Sequence, residues 1–96
     1  MSERTQPALA KLDEFRPLLK ALPVTPASSR LVEETEALVR AVSAFHMEAI
    51  RFRMHSIDRL LKQAAGSFPE PVTRIFAEVR HALEAAGFHT RSQSAP

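Results

Sequence analysis

The feature that most constrains this chain is the stretch from residue 27 to residue 65, which contains neither proline nor glycine. These two residue types most often end helices, and they flank the stretch as Pro26 and Gly66. No strand-like alternation of apolar and polar residues occurs, and no hairpin dipeptide such as Asn-Gly is present. We therefore predict an all-α chain with one long central helix, helix 2, over about 27–65 and ~55 Å in length.

A shorter helix is predicted on each side of helix 2. The first covers about 7–22, where leucines and Phe15 recur every three or four positions. Pro17 lies inside it and is expected to kink or interrupt it, because proline lacks an amide proton. The third helix covers about 69–86, and the polar residues 88–96 are expected to fray. The whole chain, residues 1–96, is thus one domain of three helices, the flanking two antiparallel to the central one.

Capping residues mark the predicted helix starts. Thr25 and Pro26 form an N-cap and N1 pair for helix 2, and Ser28 or Ser29 is the alternative start. Ser67, with a glutamate three positions later, has the spacing of a capping box for the third helix.

The two glycines mark predicted helix ends. Gly66 and Gly87 each follow a periodic stretch, where a residue in the left-handed conformation belongs. Phe88 and Leu83 stand at the positions of the hydrophobic pair in a Schellman motif.

Helix 2 is too apolar for the helices that flank it. On a helical wheel its apolar residues cover an arc of ~200°, whereas a surface helix normally shows an apolar stripe of ~100°. Two flanking helices of ~25 Å each would leave part of that arc uncovered. We therefore predict a homodimer or higher oligomer, most simply an antiparallel dimer through helix 2 that completes a helical bundle. The alternative is a compact monomeric three-helix bundle with a bent or broken helix 2. The predicted interface consists of Leu38, Val39, Val42, Phe45, Ile50, Phe52, Ile57 and Leu61.

Two polar residues lie within the apolar arc. His46 and Arg53 are one heptad apart, and could bind a ligand or respond to pH. The favoured interpretation is that they fix the register of a helix interface, or that Arg53 extends past its apolar stem to solvent.

Composition and motifs exclude several classes of function. The chain has 45% hydrophobic residues, a formal net charge of +2 and no cysteine, which excludes disulfides, thiolate zinc sites and a cysteine nucleophile. It shows no signal peptide and no membrane-spanning run, so we expect a cytoplasmic protein. Glu78 and His81 have a spacing used in di-metal bundles, but one copy on a polar face is weak evidence. We predict no metal, no cofactor and no enzymatic activity.

The sequence therefore predicts a small oligomeric interaction protein, such as an adaptor, regulator or accessory subunit, that acts through the apolar surface of helix 2. Its partners would be itself and a second protein. The alternative is a nucleic-acid-binding regulator that uses Arg40, Arg51 and Lys62 on one polar face. Carboxylates on the same face would repel phosphate, which makes nucleic acid the weaker choice. The arginine and alanine content suggests a bacterial source.

Overall fold

The computed structural model describes residues 4–64, 66 and 68–88, and this part of the chain contains helices and no strand. The helices are α1 (Gln6–Lys20), α2 (Pro26–Ser43), α3 (Met47–Gln63) and α4 (Glu70–Ala85). The prediction of an all-α fold is confirmed.

The prediction of three helices is wrong, because the stretch predicted as one continuous helix 2 contains two. The chain leaves the helical path after Ser43 and starts a new helix at Met47. The prediction equated the absence of proline and glycine with continuity. In the structure Phe45 takes the left-handed backbone conformation that glycine usually supplies.

The first and last helices lie antiparallel and side by side. The rings of Phe15 and Phe76 are 5.8 Å apart between centroids. One turn earlier in α1, the Lys11 ammonium lies 2.8 Å from a carboxylate oxygen of Glu78. Because the residue number falls along α1 as it rises along α4 at these contacts, the two helices run in opposite directions.

The remaining close contacts complete an up-and-down bundle. The backbones of α1 and α2 approach each other closely, as do those of α2 and α3. Between α1 and α2, the Arg16 guanidinium donates to both carboxylate oxygens of Glu36, at 2.9 and 3.1 Å.

Each helix buries one apolar stripe in a shared core. The apolar stripe of α4 is buried from Val72 to Leu83 and includes Ile75. The broad apolar arc predicted for one continuous helix 2 therefore consists of two separate stripes, one on α2 and one on α3. The buried apolar residues are Ala8, Leu12, Phe15, Leu19, Leu31, Leu38, Ala41, Val42, Ile50, Met54, Ile57, Leu61, Val72, Ile75, Phe76, Val79, Leu83 and Phe88.

The start of α2 agrees with the sequence prediction. The Thr25 hydroxyl accepts from the Ser28 amide at 3.0 Å, and the Thr25 amide donates to the Ser28 hydroxyl at 2.9 Å. This reciprocal capping confirms that α2 starts at the Thr25–Pro26 pair. The capping box predicted at Ser67 lies outside the described residues, and α4 has Pro69 as its N-cap.

Three predictions about helix ends have different outcomes. The Schellman motif after α4 is confirmed, since the Phe88 amide donates to the Leu83 carbonyl at 3.0 Å and Gly87 has φ 97°. Helix α1 continues through Pro17 to Lys20, so no interruption occurs there. The predicted tail begins with Phe88, which is buried, and residues 89–96 lie outside the described residues.

Candidate interaction site

The turn between α2 and α3, residues 44–46, is a Schellman motif. The His46 amide donates to the Ala41 carbonyl at 3.0 Å, and the Phe45 amide donates to the Val42 carbonyl at 3.1 Å. These two bonds satisfy carbonyls that the end of α2 would otherwise leave unpaired. The residue in the left-handed position of this motif is Phe45, with φ 61°.

A phenylalanine in the left-handed conformation is strained. The conformation brings Cβ close to the following carbonyl oxygen and costs roughly 1–2 kcal/mol for a residue other than glycine. Among the described residues, Phe45 is the only one besides glycine with a positive φ. Such strain persists only where surrounding contacts hold it in place.

Two neighbours hold Phe45 in this conformation. Its ring meets the Phe88 ring edge to face, with 5.0 Å between centroids. The Arg4 guanidinium lies over the Phe45 ring at 5.5 Å and also donates to the Ala86 carbonyl. The start of α1, the α2–α3 turn and the end of α4 therefore meet at one end of the bundle.

His46 and Arg53 have separate roles in the structure. His46 is the N-cap of α3, and its ring Nδ1 accepts from the Ala49 amide at 3.2 Å. It is exposed at the surface. Arg53 instead reaches across to Glu34 on α2. The structure therefore does not bring these two residues together into one polar cluster.

Glu34 and Arg53 tie α2 to α3. The Arg53 Nη1 lies 3.0 and 3.1 Å from the two carboxylate oxygens of Glu34, and Arg30 approaches the same carboxylate at 3.4 Å. Glu34 is only 7% exposed, so its charge would be costly without these partners. The neighbouring Thr35 hydroxyl is buried and has no hydrogen-bond partner within the described part of the chain.

Most of the predicted interface residues belong to the core of the single chain. Val39 is half-buried against that core. Phe45 and Phe52 are the two predicted residues that remain exposed. The buried members of the predicted interface are Leu38, Val42, Ile50, Ile57 and Leu61.

Two exposed apolar residues lie at the α2–α3 turn. Phe45, within the turn, is 42% exposed, and Met47, the first residue of α3, is 48% exposed. The other large apolar side chains described as exposed are Phe52, further along α3, and Val24, between α1 and α2. We call Phe45 and Met47 the turn patch.

The polar face predicted for nucleic acid is divided by the same turn. Arg40 lies on α2, whereas Arg51 and Lys62 lie on α3. Arg51 and Lys62 are also paired with Glu48 and Asp58 of their own helix, at 3.7 and 3.1 Å.

Glu78 of the weak metal motif takes part in an ion-pair network on α1 and α4. The hydrogen bond from Lys11 lowers the pKa of Glu78 below its ordinary value and raises the pKa of Lys11. Arg74 lies 3.6 Å from the same carboxylate. Within the described residues, no group of three acidic or histidine side chains could hold a metal ion.

No known protein family, curated protein sequence or solved structure matches this chain. Over the described residues the chain folds as an up-and-down bundle of four helices, with a strained turn between α2 and α3. No helix in that part of the chain has the length and apolar character needed to cross a membrane.

Proposed function

We propose that this chain is a small helical interaction protein that dimerises when the α2–α3 turn straightens. Helices α2 and α3 then join into one long helix over 26–63, and two chains exchange their halves. The observation that carries this proposal is the left-handed conformation of Phe45 in a turn without glycine or proline. Short, strained connections between packed elements favour such exchange.

The energetics of the turn favour straightening. The folded-back chain bears the strain at Phe45, roughly 1–2 kcal/mol, while a continuous helix has none at that position. A continuous helix also restores the intrahelical hydrogen bonds that are lost where α2 ends and α3 starts. Ala44, Phe45 and Met47 are all compatible with a helix interior.

The exchange preserves the core. In the dimer, α1 and α2 of one chain pack against α3 and α4 of the second, so the α2–α3 and α1–α4 contacts form again between chains. The bond between Glu34 and Arg53 becomes an intermolecular one. Because these contacts are equal in both forms, the turn and its surroundings determine the balance between monomer and dimer.

The turn patch supplies a further driving force. Two straightened helices that cross antiparallel place the 44–46 segments of both chains next to each other. Phe45 and Met47 of one chain then face the same residues of the second. Each large apolar side chain that becomes buried contributes ~1.5–3 kcal/mol. A second copy of this chain is therefore the partner that the patch fits best.

We also propose a second protein as a partner of the assembled dimer. We expect the protein in the cytoplasm, because it has no cysteine and therefore no disulfide that an oxidising compartment would have to form. We assign no catalytic step to any residue.

Met47→Pro is the sharpest test. Met47 is the first residue of α3, where proline fits because the amide has no helical acceptor. His46 before it has φ −97° and ψ 97°, a conformation that proline tolerates in its predecessor. In a continuous helix the same proline would cost ~3 kcal/mol per chain. We expect wild-type protein to show a dimer by light scattering at micromolar concentration and Met47→Pro to be a folded monomer.

Met47→Ala is the matched control, because it removes the same exposed side chain without blocking a helix. It should weaken the dimer by the lost burial alone, and clearly less than Met47→Pro, which loses the same burial and also blocks the continuous helix. A wild-type monomer at all accessible concentrations would contradict self-association. A dimer that survives Met47→Pro unchanged would contradict exchange and indicate rigid docking.

One observation favours nucleic-acid binding as a second candidate. A cleft of about 230 Å³ between α2 and α3 is lined by Arg30, Ser56, Arg59, Leu60 and Gln63, and none of these described lining residues is a carboxylate. Two arginines are few for an affinity that depends on neutralising several phosphates. Binding of a fluorescent duplex at low salt that is lost in Arg30→Ala/Arg59→Ala would support this function, and no binding at low salt would exclude it.

A further inference from the structure

The packing of this bundle leaves one side more open than the others. Close backbone contacts join α1 to α2, α2 to α3 and α4 to α1 over the described residues, whereas α3 and α4 meet chiefly through side chains. Between them lies a groove of about 360 Å³. That volume lies within the range of small-molecule sites.

The floor of the groove is apolar. It is formed by Leu61 from α3, by Phe76 and Ala77 from α4, and by Phe68 from the segment that precedes α4. Leu61 and Phe76 belong to the core, so the groove opens directly onto it. An apolar group that entered here would leave water and contact an aromatic ring and aliphatic side chains.

The rim of the groove carries more positive than negative charge. Asp58 is its one carboxylate among the described lining residues, and it forms ion pairs with Lys62 at 3.1 Å and with Arg80 at 3.4 Å. The two cations and one anion leave a net charge of +1. The Arg80 side chain is 13% exposed and lies over the Phe76 ring at 5.4 Å.

This combination selects a class of ligand. An apolar floor binds an apolar body, and a partly desolvated guanidinium that is fixed on a ring favours an anion more strongly than an exposed one does. We propose that the groove binds a small monocarboxylic acid with an apolar body, its carboxylate at Arg80 and Lys62. Both α3 and α4 stay in one chain whether or not chains exchange, so this site does not depend on the proposed dimer.

Decanoate is a suitable probe, with decanol as its uncharged analogue. Titration into the full chain, followed by calorimetry and by amide chemical shifts, should give saturable decanoate binding with shifts at Leu61, Phe68 and Ala77. Decylamine, of opposite charge, should bind at least tenfold more weakly, because two cations repel it and the one rim carboxylate, Asp58, is already paired with both of them.

Two variants separate the polar and apolar parts of the site. Arg80→Gln should weaken decanoate binding by roughly tenfold or more and leave decanol binding nearly unchanged. Ala77→Phe, at an exposed position in the groove, should fill the floor and abolish binding of both. Ala85→Phe, on an exposed position of α4 outside the groove lining, is the matched control and should bind like the wild type.

Three results would overturn the proposal. These are the absence of saturable binding with folded wild-type protein, equal binding of decanoate and decylamine, and decanoate binding that survives Ala77→Phe. Thermal melting by circular dichroism confirms that each variant is folded before its binding is interpreted.

Discussion

Helices α2 and α4 end in the same hydrogen-bonded motif, but one end has phenylalanine where the other has glycine. After α4, Gly87 takes φ 97°, and after α2, Phe45 takes φ 61°. In both motifs the next residue donates its amide to a carbonyl five positions earlier, at 3.0 Å. The backbone geometry is therefore shared, while the conformational cost at the left-handed position differs.

The two ends also touch each other. Phe88, which follows Gly87, supports the Phe45 ring, and Arg4 contacts both the Phe45 ring and the Ala86 carbonyl. The end of α4, where glycine takes the left-handed conformation at low conformational cost, thus stabilises the strained end of α2. A helix can therefore end without glycine or proline when tertiary contacts offset the strain.

Of the variants at these two helix ends, Phe88→Ala should lower the free energy of unfolding most. Phe88 is 3% exposed, and removing its ring should cost roughly 3–5 kcal/mol of unfolding free energy. It should also raise the dimer fraction, because the folded-back turn loses its support. Urea denaturation measures the first effect and light scattering the second. Phe88→Leu is the control, because it keeps most of the buried volume but loses the ring contact: it should cost less stability than Phe88→Ala and still raise the dimer fraction. A Phe88→Leu variant with the wild-type dimer fraction would show that the ring contact is irrelevant.

Gly87→Ala should cost about 1–2 kcal/mol, because the left-handed backbone disfavours a side chain. An added Cβ would also come within 2.8 Å of the Arg4 guanidinium. Gly66→Ala is the matched control, since Gly66 has φ 86° and an added Cβ would meet nothing within 4 Å. The difference between the two denaturation free energies measures the Arg4 contact. A smaller loss at Gly87 than at Gly66 would argue against that contact.

Phe45→Gly and Phe45→Ala isolate the strain, because both remove the ring and only alanine keeps the cost of a Cβ. In a Met47→Pro background, which we expect to be monomeric, the glycine variant should be more stable by about 1 kcal/mol. In the wild-type background the alanine variant should dimerise more tightly. Equal stability of the two variants would mean that Phe45 carries no strain.

The smallest effect is expected from pH at the Lys11–Glu78 pair, which joins α1 to α4. Folding lowers the pKa of Glu78 from 4.5, so the pair stabilises the fold above that pH and loses its contribution as the pH falls below it. The raised pKa of Lys11 makes the contribution disappear again above about 10.5. The stability gap between wild type and Glu78→Gln should narrow on acidification, measured by urea denaturation. A gap that widens would contradict the sign of these shifts.

Much of the fold follows from local sequence signals. The α2 start at Thr25, the α4 end at Gly87 and the buried stripe of α4 depend on residues within a few positions of each other. The turn at Phe45 depends on contacts with Phe88 and Arg4, which are distant in sequence. Local propensity alone therefore does not separate α2 from α3.

In the candidate sites, too, some features follow from local sequence and others depend on contacts between residues that are distant in sequence. Phe45 and Phe52 were identified as interface residues from their apolar periodicity, and they remain exposed. The partner of Arg53 was missed, because Glu34 faces it only after the chain folds back. The groove between α3 and α4 was missed as well, since its width depends on how closely two helices approach each other.

We propose that the segment 26–63 exists both as a folded-back pair of helices in the monomer and as one straight helix in the dimer. Spin labels on Ser29→Cys and Gln63→Cys test it, because the chain has no native cysteine. Packed helices would hold the labels within about 20 Å of each other, whereas a straight helix would separate them by ~50 Å. Dilution with unlabelled chain restricts the electron–electron distance measurement to pairs within one chain. We predict the short distance in monomer and the long one in dimer, and a dimer with only the short distance would contradict the account.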